Sequence, residues 1–134
     1  MIAHSVRLRD LKNEKQSIEV SKEELKRAYE SLPREQKNAL NRMAGRIRSF
    51  AKAQRDSLRD LTTKIPGGKA GHVVRAVRTA GCYAPGGRYP LPSSVLMTAI
   101  TARVAGVENV WVASPRPAVA TMAAAHLAGV DGFL

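Results

Sequence analysis

A cluster of prolines and glycines between two apolar segments constrains the fold of this chain more than any other feature. It lies within residues 81–110 and contains Pro85, Gly86, Gly87, Pro90 and Pro92. Proline fixes φ and removes a backbone donor, whereas glycine permits positive φ or a close approach of two backbones. These positions therefore predict a rigid loop and not the interior of a sheet.

The residues after this loop predict a helix and then a buried strand. Ser93 and Ser94 are candidates for the N-cap, and apolar residues recur at helical spacing over about 94–105. The run Asn109–Ser114 is short and largely apolar, which is typical of a strand in a parallel sheet. The order of strand, glycine loop, helix and strand predicts an α/β fold, in which ligands bind beyond the carboxyl ends of the strands.

The first half of the chain is predicted to be helical. Ser21 and Glu24 form a capping-box pattern that should start one helix. Pro33 should end that helix and begin a second, longer one that runs to about Arg59. The cluster Ile65-Pro66-Gly67-Gly68 marks an internal boundary. We therefore divide the chain into a helical segment, residues 1–64, and an α/β segment, residues 65–134.

Three further elements are predicted in the second segment. The run His72–Arg78 has the alternation of a strand. A helix should begin near Pro117 and end at Gly129, a natural residue to follow a helix. Val130–Leu134 should begin another strand.

Charge and composition narrow the class of protein. The formal net charge is +11, yet the basic residues of the first half alternate with apolar helix positions and acids. We therefore favour a solvated helix surface over a nucleic-acid site. The single cysteine, Cys82, excludes an internal disulfide framework. The sequence shows no signal-peptide pattern and no apolar run long enough to cross a membrane, so we expect a cytoplasmic protein.

A long stretch of the chain resembles the histidinol dehydrogenase family. Residues 81–100, GCYAPGGRYPLPSSVLMTAI, carry the resemblance together with residues 123–130, AAAHLAGV. The similarity covers nearly everything from about residue 17 onward. A motif of this length with fixed proline and glycine positions is far more specific than a short glycine pattern.

The resemblance implies a fold and an oxidoreductase activity. The fold it implies is α/β: N-terminal helices followed by part of an incomplete Rossmann-like, mostly parallel sheet. Family members oxidise L-histidinol to L-histidine, the last step of histidine biosynthesis, using NAD and a bound zinc, and they act as homodimers. Residues 65–134 would then be a partial NAD-binding domain.

The resemblance also assigns a small set of site residues. Tyr83 occupies the position of the tyrosine that contacts NAD in the family motif, and Gly86 and Gly87 would allow close approach to the cofactor. No catalytic residue, substrate-binding residue or zinc ligand can be carried over to this chain. We therefore expect it to be the N-terminal portion of such an enzyme, ending before the catalytic and zinc-binding segments, and to be inactive alone.

The remaining residues that could bind a metal or act as a nucleophile have little support in the sequence. His4, His72 and His126 lack the spacing to Cys, Asp or Glu that a zinc site requires. Cys82 has no nearby base in the sequence and is expected to be structural. Two alternatives stay open: a relative that oxidises another small alcohol, such as a sulfonated propanediol, and a non-catalytic basic remnant or binding module.

Overall fold

Two helices, a hairpin and a three-stranded parallel sheet follow one another in the computed structural model, which describes residues 17–86 and 89–134. Helix α1 spans Lys22–Ser31 and helix α2 spans Arg34–Ser57. The capping box at the start of α1 is confirmed, because the Ser21 hydroxyl accepts from the Glu24 backbone N–H at 3.2 Å and the Ser21 backbone N–H donates to the Glu24 carboxylate at 2.9 Å. Pro33 separates the two helices, as predicted.

An antiparallel hairpin follows α2. Strand β1 spans Leu61–Ile65 and pairs with β2, Gly68–His72, so that Pro66 and Gly67 form a two-residue turn. Gly67 has a φ of +82°. Glycine adopts this conformation readily, and proline is common at the preceding position of such a turn. Both strands are exposed along their whole length. The proposed boundary between residues 64 and 65 therefore falls inside a hairpin, and the division into two segments stays a proposal.

The predicted strand His72–Arg78 is wrong, since residues 73–77 have no regular structure. The Asp60 carboxylate explains this: it accepts from the Val74 backbone N–H at 2.8 Å and from the Arg75 guanidinium at 3.0 Å. The segment is thus held against the linker that follows α2, with Val73 and Val77 exposed. A backbone donor bound to a side chain is not free to join a sheet ladder.

The parallel sheet has the order β3-β4-β5. Its strands are β3, Thr79–Tyr83, β4, Asn109–Ala113, and β5, Gly132–Phe133. The strands predicted around Asn109 and after Val130 are confirmed. On the outer edge of β5, the Val20 backbone N–H donates to the Phe133 carbonyl at 2.9 Å, which ties the start of the helical segment to the sheet.

The crossover from β3 to β4 is an interrupted helix. It consists of α3, Pro92–Val95, a π-helical turn, Leu96–Ile100, and α4, Thr101–Val104. The prediction of an N-cap at Ser93 or Ser94 is wrong, because the helix begins at Pro92 and both serines lie within it. Proline suits this first position because its missing N–H has no helical partner there.

Helix α5, Val119–Ala128, connects β4 to β5 and is followed by Gly129, as predicted. It packs along α1, while α2 packs against the π-helical turn and α4. A single hydrophobic cluster joins both proposed segments and includes Leu25, Leu40, Ile100, Val110 and Phe133. Within the described ranges, no helix is both long enough and apolar enough to cross a membrane.

Candidate functional site

A cleft opens beyond the carboxyl ends of the parallel strands, where the α/β arrangement predicts a ligand. Its volume is about 810 Å³, within the range of roughly 300–1,000 Å³ that is usual for small-molecule sites. One wall is the end of β3 and β4 with the turn that follows, and the opposite wall is α1. The lining residues on which the site depends are Tyr83, Ser114, Arg116, Val119, Glu24 and Arg27.

Tyr83 lies in this cleft at the last position of β3. It pairs with Ala113 of β4 and is 62% exposed, whereas its neighbours Cys82 and Ala84 are buried. The alternation of a strand places successive side chains on opposite faces, so burial of the two neighbours turns the tyrosine outward. An exposed aromatic ring with a hydroxyl at a strand end is suited to stacking on, or donating to, a flat polar ligand.

Gly86 lies beside the cleft in close contact with the turn after β4. A Cβ atom at this position would lie 1.8 Å from the Pro115 carbonyl oxygen and 2.9 Å from its carbon. The glycine is therefore required by the approach of two backbones within the protein, which gives it a structural role independent of any cofactor. Gly87, the other predicted glycine, lies outside the described residues.

Replacing Gly86 with alanine is expected to separate the two loops and to lower the free energy of unfolding by about 1–3 kcal/mol, the usual cost of forced overpacking. Urea denaturation followed by circular dichroism measures this. Gly45→Ala is the matched control, because nothing lies within 4 Å of its added Cβ. Gly45 lies in the middle of α2, so its replacement with alanine should raise the free energy of unfolding by about 0.5–1 kcal/mol. A Gly86→Ala variant that is as stable as the parent chain, or is stabilised as Gly45→Ala is, would contradict the close approach.

The turn that follows β4 contributes residues that the sequence did not reveal. Ser114 is only 4% exposed, and its hydroxyl has no hydrogen-bond partner among the residues that the structure describes. An unpaired buried hydroxyl costs about 1–3 kcal/mol, so its presence at a cleft calls for an explanation. Next to it, Arg116 has a φ of +47°, a conformation that is uncommon outside glycine.

The α1 wall carries charges of both signs. Arg27 and Glu24 both line the cleft. The Ser21 backbone N–H and hydroxyl donate to the Glu24 carboxylate and, with the charge of Arg27, hold the pKa of Glu24 below its ordinary value. This carboxylate is therefore ionised near neutral pH and is already occupied by the helix cap.

Metal-binding side chains do not converge in the part of the chain that the structure describes, where no group of three His, Cys, Asp or Glu residues is present. His72 is exposed on the hairpin and its ring nitrogen contacts the Arg59 carbonyl at 3.0 Å. The His126 ring lies 5.4 Å from the ring of Tyr29. Cys82 is buried in β3. The described residues thus offer no donor set for zinc, and His4 lies outside them.

Comparison with known proteins gives consistent results. A sequence profile described as histidinol dehydrogenase matches residues 2–134. Histidinol dehydrogenase of Methanocaldococcus jannaschii is 38% identical over 123 residues, covering 88% of this chain and 29% of that protein. Sulfopropanediol 3-dehydrogenase of Ruegeria pomeroyi is also 38% identical, over 88% of this chain and 28% of the relative.

A solved structure shows the same architecture. The crystal structure of histidinol dehydrogenase from Elizabethkingia anophelis superposes with a TM-score of 0.81 and 26% identity, covering 98% of this chain and 31% of that chain. The chain therefore spans less than a third of the length of these relatives. With a profile that matches nearly every residue and an α/β fold shared with a solved member, the chain belongs to the histidinol dehydrogenase family.

Proposed function

We propose that this chain forms one wall of the NAD site of a zinc-dependent histidinol dehydrogenase, which oxidises L-histidinol to L-histidine. The observation that carries the proposal is the position of Tyr83, exposed in the cleft beyond the carboxyl ends of β3 and β4. Ligands of open α/β sheets bind at this edge. The cleft is open, partly apolar in its lining, and of the size that a small ligand needs.

The described residues determine which parts of the proposed active site this chain can supply. NAD, when bound, accepts the hydride that the alcohol gives up. Tyr83 would contact the cofactor, with Gly86 and Gly87 shaping the loop beside it. The described residues bring together no zinc ligands, so in the proposed enzyme zinc and the acid–base groups come from residues other than these. Hydride transfer requires cofactor, substrate and base in one geometry, which this wall by itself does not provide.

The location, oligomeric state and type of substrate that we propose for the complete enzyme are those of the family. The complete enzyme would be a cytoplasmic homodimer acting on a small-molecule substrate, with no role in nucleic-acid or membrane binding. Residues 65–134 would form the partial NAD-binding domain and residues 1–64 the helical segment that packs against it.

Titration of the 134-residue chain with NAD, followed by the quenching of tyrosine fluorescence or by NMR, tests the cofactor contact. Replacing Tyr83 with alanine is expected to weaken NAD binding by about tenfold, the loss of one good aromatic contact. Tyr83→Phe should retain most of the affinity if the ring stacks on the cofactor. Phe50→Ala is the matched control, since this ring is 67% exposed on α2 and does not line the cleft. NAD binding that is unaffected by Tyr83→Ala would refute the contact proposed for Tyr83.

A second measurement concerns turnover. With L-histidinol, NAD and zinc at mildly alkaline pH, we expect no sustained appearance of NADH from the 134-residue chain. Sustained turnover would refute the proposal that the chain supplies only a wall of the site.

A further inference from the structure

The hairpin of β1 and β2 lies outside the hydrophobic core. Every residue from 52 to 73 is exposed, from the last turns of α2 through both strands. No other described element packs extensively on either strand, and their principal contacts are with each other. A two-stranded hairpin without a third strand or a covering helix is only marginally stable in water. The hairpin therefore has the features of a sheet that another segment completes.

The two faces of the hairpin differ in chemistry. Residues directly opposite in an antiparallel pair share a face, and successive residues of a strand alternate between faces. The register therefore places Leu61 and Ile65 on one face, together with Ala70 opposite Thr63. Leu61 and Ile65 are 54% and 48% exposed, so this apolar face covers no core.

The other face concentrates positive charge. It carries Lys64 and Lys69, which are directly opposite each other in the register and are both exposed. Like charges directly opposite on a sheet destabilise the pairing of the strands. Neither lysine forms an ion pair with an acid in the part of the chain that the structure describes. A carboxylate placed beside the two ammonium groups would offset this repulsion.

The charge around the hairpin has the same sign. Residues 34–78 contain twelve Lys/Arg and three Asp/Glu, a net charge of +9, and the rest of the chain contributes only +2 to the total of +11. One of the three acids, Asp60, is already bound to Val74 and Arg75. A second copy of this chain would therefore bring more positive charge to the hairpin, not the negative charge that neutralises it.

The edges of the hairpin are open to pairing. Within the described ranges, residues 61–72 make no backbone-to-backbone hydrogen bond outside the hairpin. An exposed strand edge can accept an added strand, whose main chain supplies affinity and whose alternate side chains supply specificity. Lysine on such an edge opposes the addition of another copy of the same strand. The same charge favours the addition of an acidic strand.

We propose that the hairpin binds an acidic polypeptide segment as an added strand along β1, with acidic and apolar residues alternating in that segment. The alternation matches that of β1, so acids would lie beside Lys64 while apolar side chains lie beside Leu61 and Ile65. The apolar face favours a polypeptide over nucleic acid, because phosphate groups gain nothing from exposed leucine and isoleucine. The inference is independent of the proposed function, since no residue of the hairpin lines the cleft.

The test uses the full 134-residue chain and fluorescein-labelled synthetic peptides at constant ionic strength. The main probe is a short peptide in which Glu and Val alternate, and matched peptides carry Lys in place of Glu or Ser in place of Val. Fluorescence anisotropy should show that the Glu-Val peptide binds at least about tenfold more tightly than either matched peptide. Amide NMR shifts and slowed hydrogen exchange should centre on Leu61–Ile65.

Variants of the hairpin separate the two faces. Replacing both Lys64 and Lys69 with glutamine should weaken binding of the Glu-Val peptide about three- to tenfold. This double substitution removes a repulsion between the strands, so weaker binding cannot be ascribed to loss of the hairpin. Ile65→Thr keeps a β-branched side chain and should weaken binding about threefold through the lost apolar contact. Lys26→Gln removes an exposed lysine from α1 and should leave the affinity nearly unchanged.

Three outcomes would overturn the inference. The first is a Glu-Val peptide that does not bind, or that binds no more tightly than the Lys-Val peptide. The second is a short DNA duplex that binds more tightly than the Glu-Val peptide and is unaffected by Ile65→Thr, which would assign the surface to nucleic acid. The third is a set of amide shifts in Leu61–Ile65 that depend on protein concentration without peptide, which would assign the edge to a second copy. NAD binding should be unchanged in the hairpin variants, so each of these results leaves the contact proposed for Tyr83 intact.

Discussion

Replacing Phe133 with alanine is expected to lower the free energy of unfolding by about 3–5 kcal/mol, the range seen when a buried aromatic ring is deleted. The ring of Phe133 is completely buried and belongs to the hydrophobic cluster that joins the helices to the sheet. Its backbone is equally engaged, since Phe133 pairs with Val112 of β4 and accepts from the Val20 N–H. Single domains are stable by only about 5–15 kcal/mol, so this one change removes a large fraction of the total.

Urea denaturation of the purified chain, followed at 222 nm, measures the effect. Phe50→Ala is the control, because the same ring is lost from a position that is 67% exposed, where a change of at most about 0.5 kcal/mol is usual. Phe133→Leu, which keeps most of the apolar volume, should cost less than about 1.5 kcal/mol and remains measurable if the alanine variant does not fold. Similar decreases in the free energy of unfolding for Phe133→Ala and Phe50→Ala would contradict the burial of the Phe133 ring.

Elements defined by neighbouring residues were predictable from the sequence. The capping box of Ser21 and Glu24 fixes the start of α1 within four residues, and Gly129 marks the end of α5 in the same local way. The strand at Asn109–Ala113 is apolar enough to be recognised without knowledge of its partners. These are features in which propensity and tertiary structure favour the same conformation.

The errors arose where a distant residue decides the local structure. Residues 73–77 have the alternation of a strand, but Asp60, outside that segment, binds the Val74 N–H and Arg75. The exposed hairpin was missed because its strands bury no face and therefore show no strong hydrophobic alternation. Ser93 and Ser94 have the chemistry of N-caps, yet Pro92 had already begun the helix.

The cleft was only partly predictable for the same reason. The family motif identified Tyr83, and its position at the end of β3 agrees with a ligand beyond the carboxyl ends of the parallel strands. Arg27 lines the same cleft as Ser114 and Arg116 because α1 packs along α5. No pattern of spacing along the chain signals that juxtaposition, although the positive φ of Arg116 between two prolines becomes informative once the fold is known.

At the opposite end of the sheet, Arg103 joins three elements through its guanidinium group. It donates to the Glu108 carbonyl at 2.6 Å, to the Gly129 carbonyl at 2.7 Å and to the Asp131 carboxylate. The same carboxylate accepts from the Val110 backbone N–H at 2.7 Å. The two side chains are only 28% and 34% exposed, so water competes for these bonds less than it does at the surface.

Replacing Arg103 with methionine, which keeps the apolar stem, is therefore expected to lower the free energy of unfolding by about 2–3 kcal/mol near neutral pH. Arg78→Met is the matched control. Arg78 forms an ion pair with Glu108 at 3.7 Å in which the side chains are 85% and 72% exposed, and such pairs contribute about 0–1 kcal/mol. Equal losses in the two variants would refute a structural role for the Arg103 network.

The pH dependence gives an independent measure of the same network. The Val110 N–H and the charge of Arg103 hold the pKa of Asp131 below its ordinary value. A carboxylate with a lowered folded-state pKa stabilises fully above its unfolded pKa of about 3.9 and loses that contribution as the pH falls through the folded value. The stability difference between the parent chain and Asp131→Asn should therefore be constant from pH 7 to about 5 and shrink below about pH 4. Urea midpoints measured across this range give that difference directly, because the other carboxylates titrate alike in both proteins. A difference that does not change with pH would mean that Asp131 stabilises the fold by its shape and not by its charge.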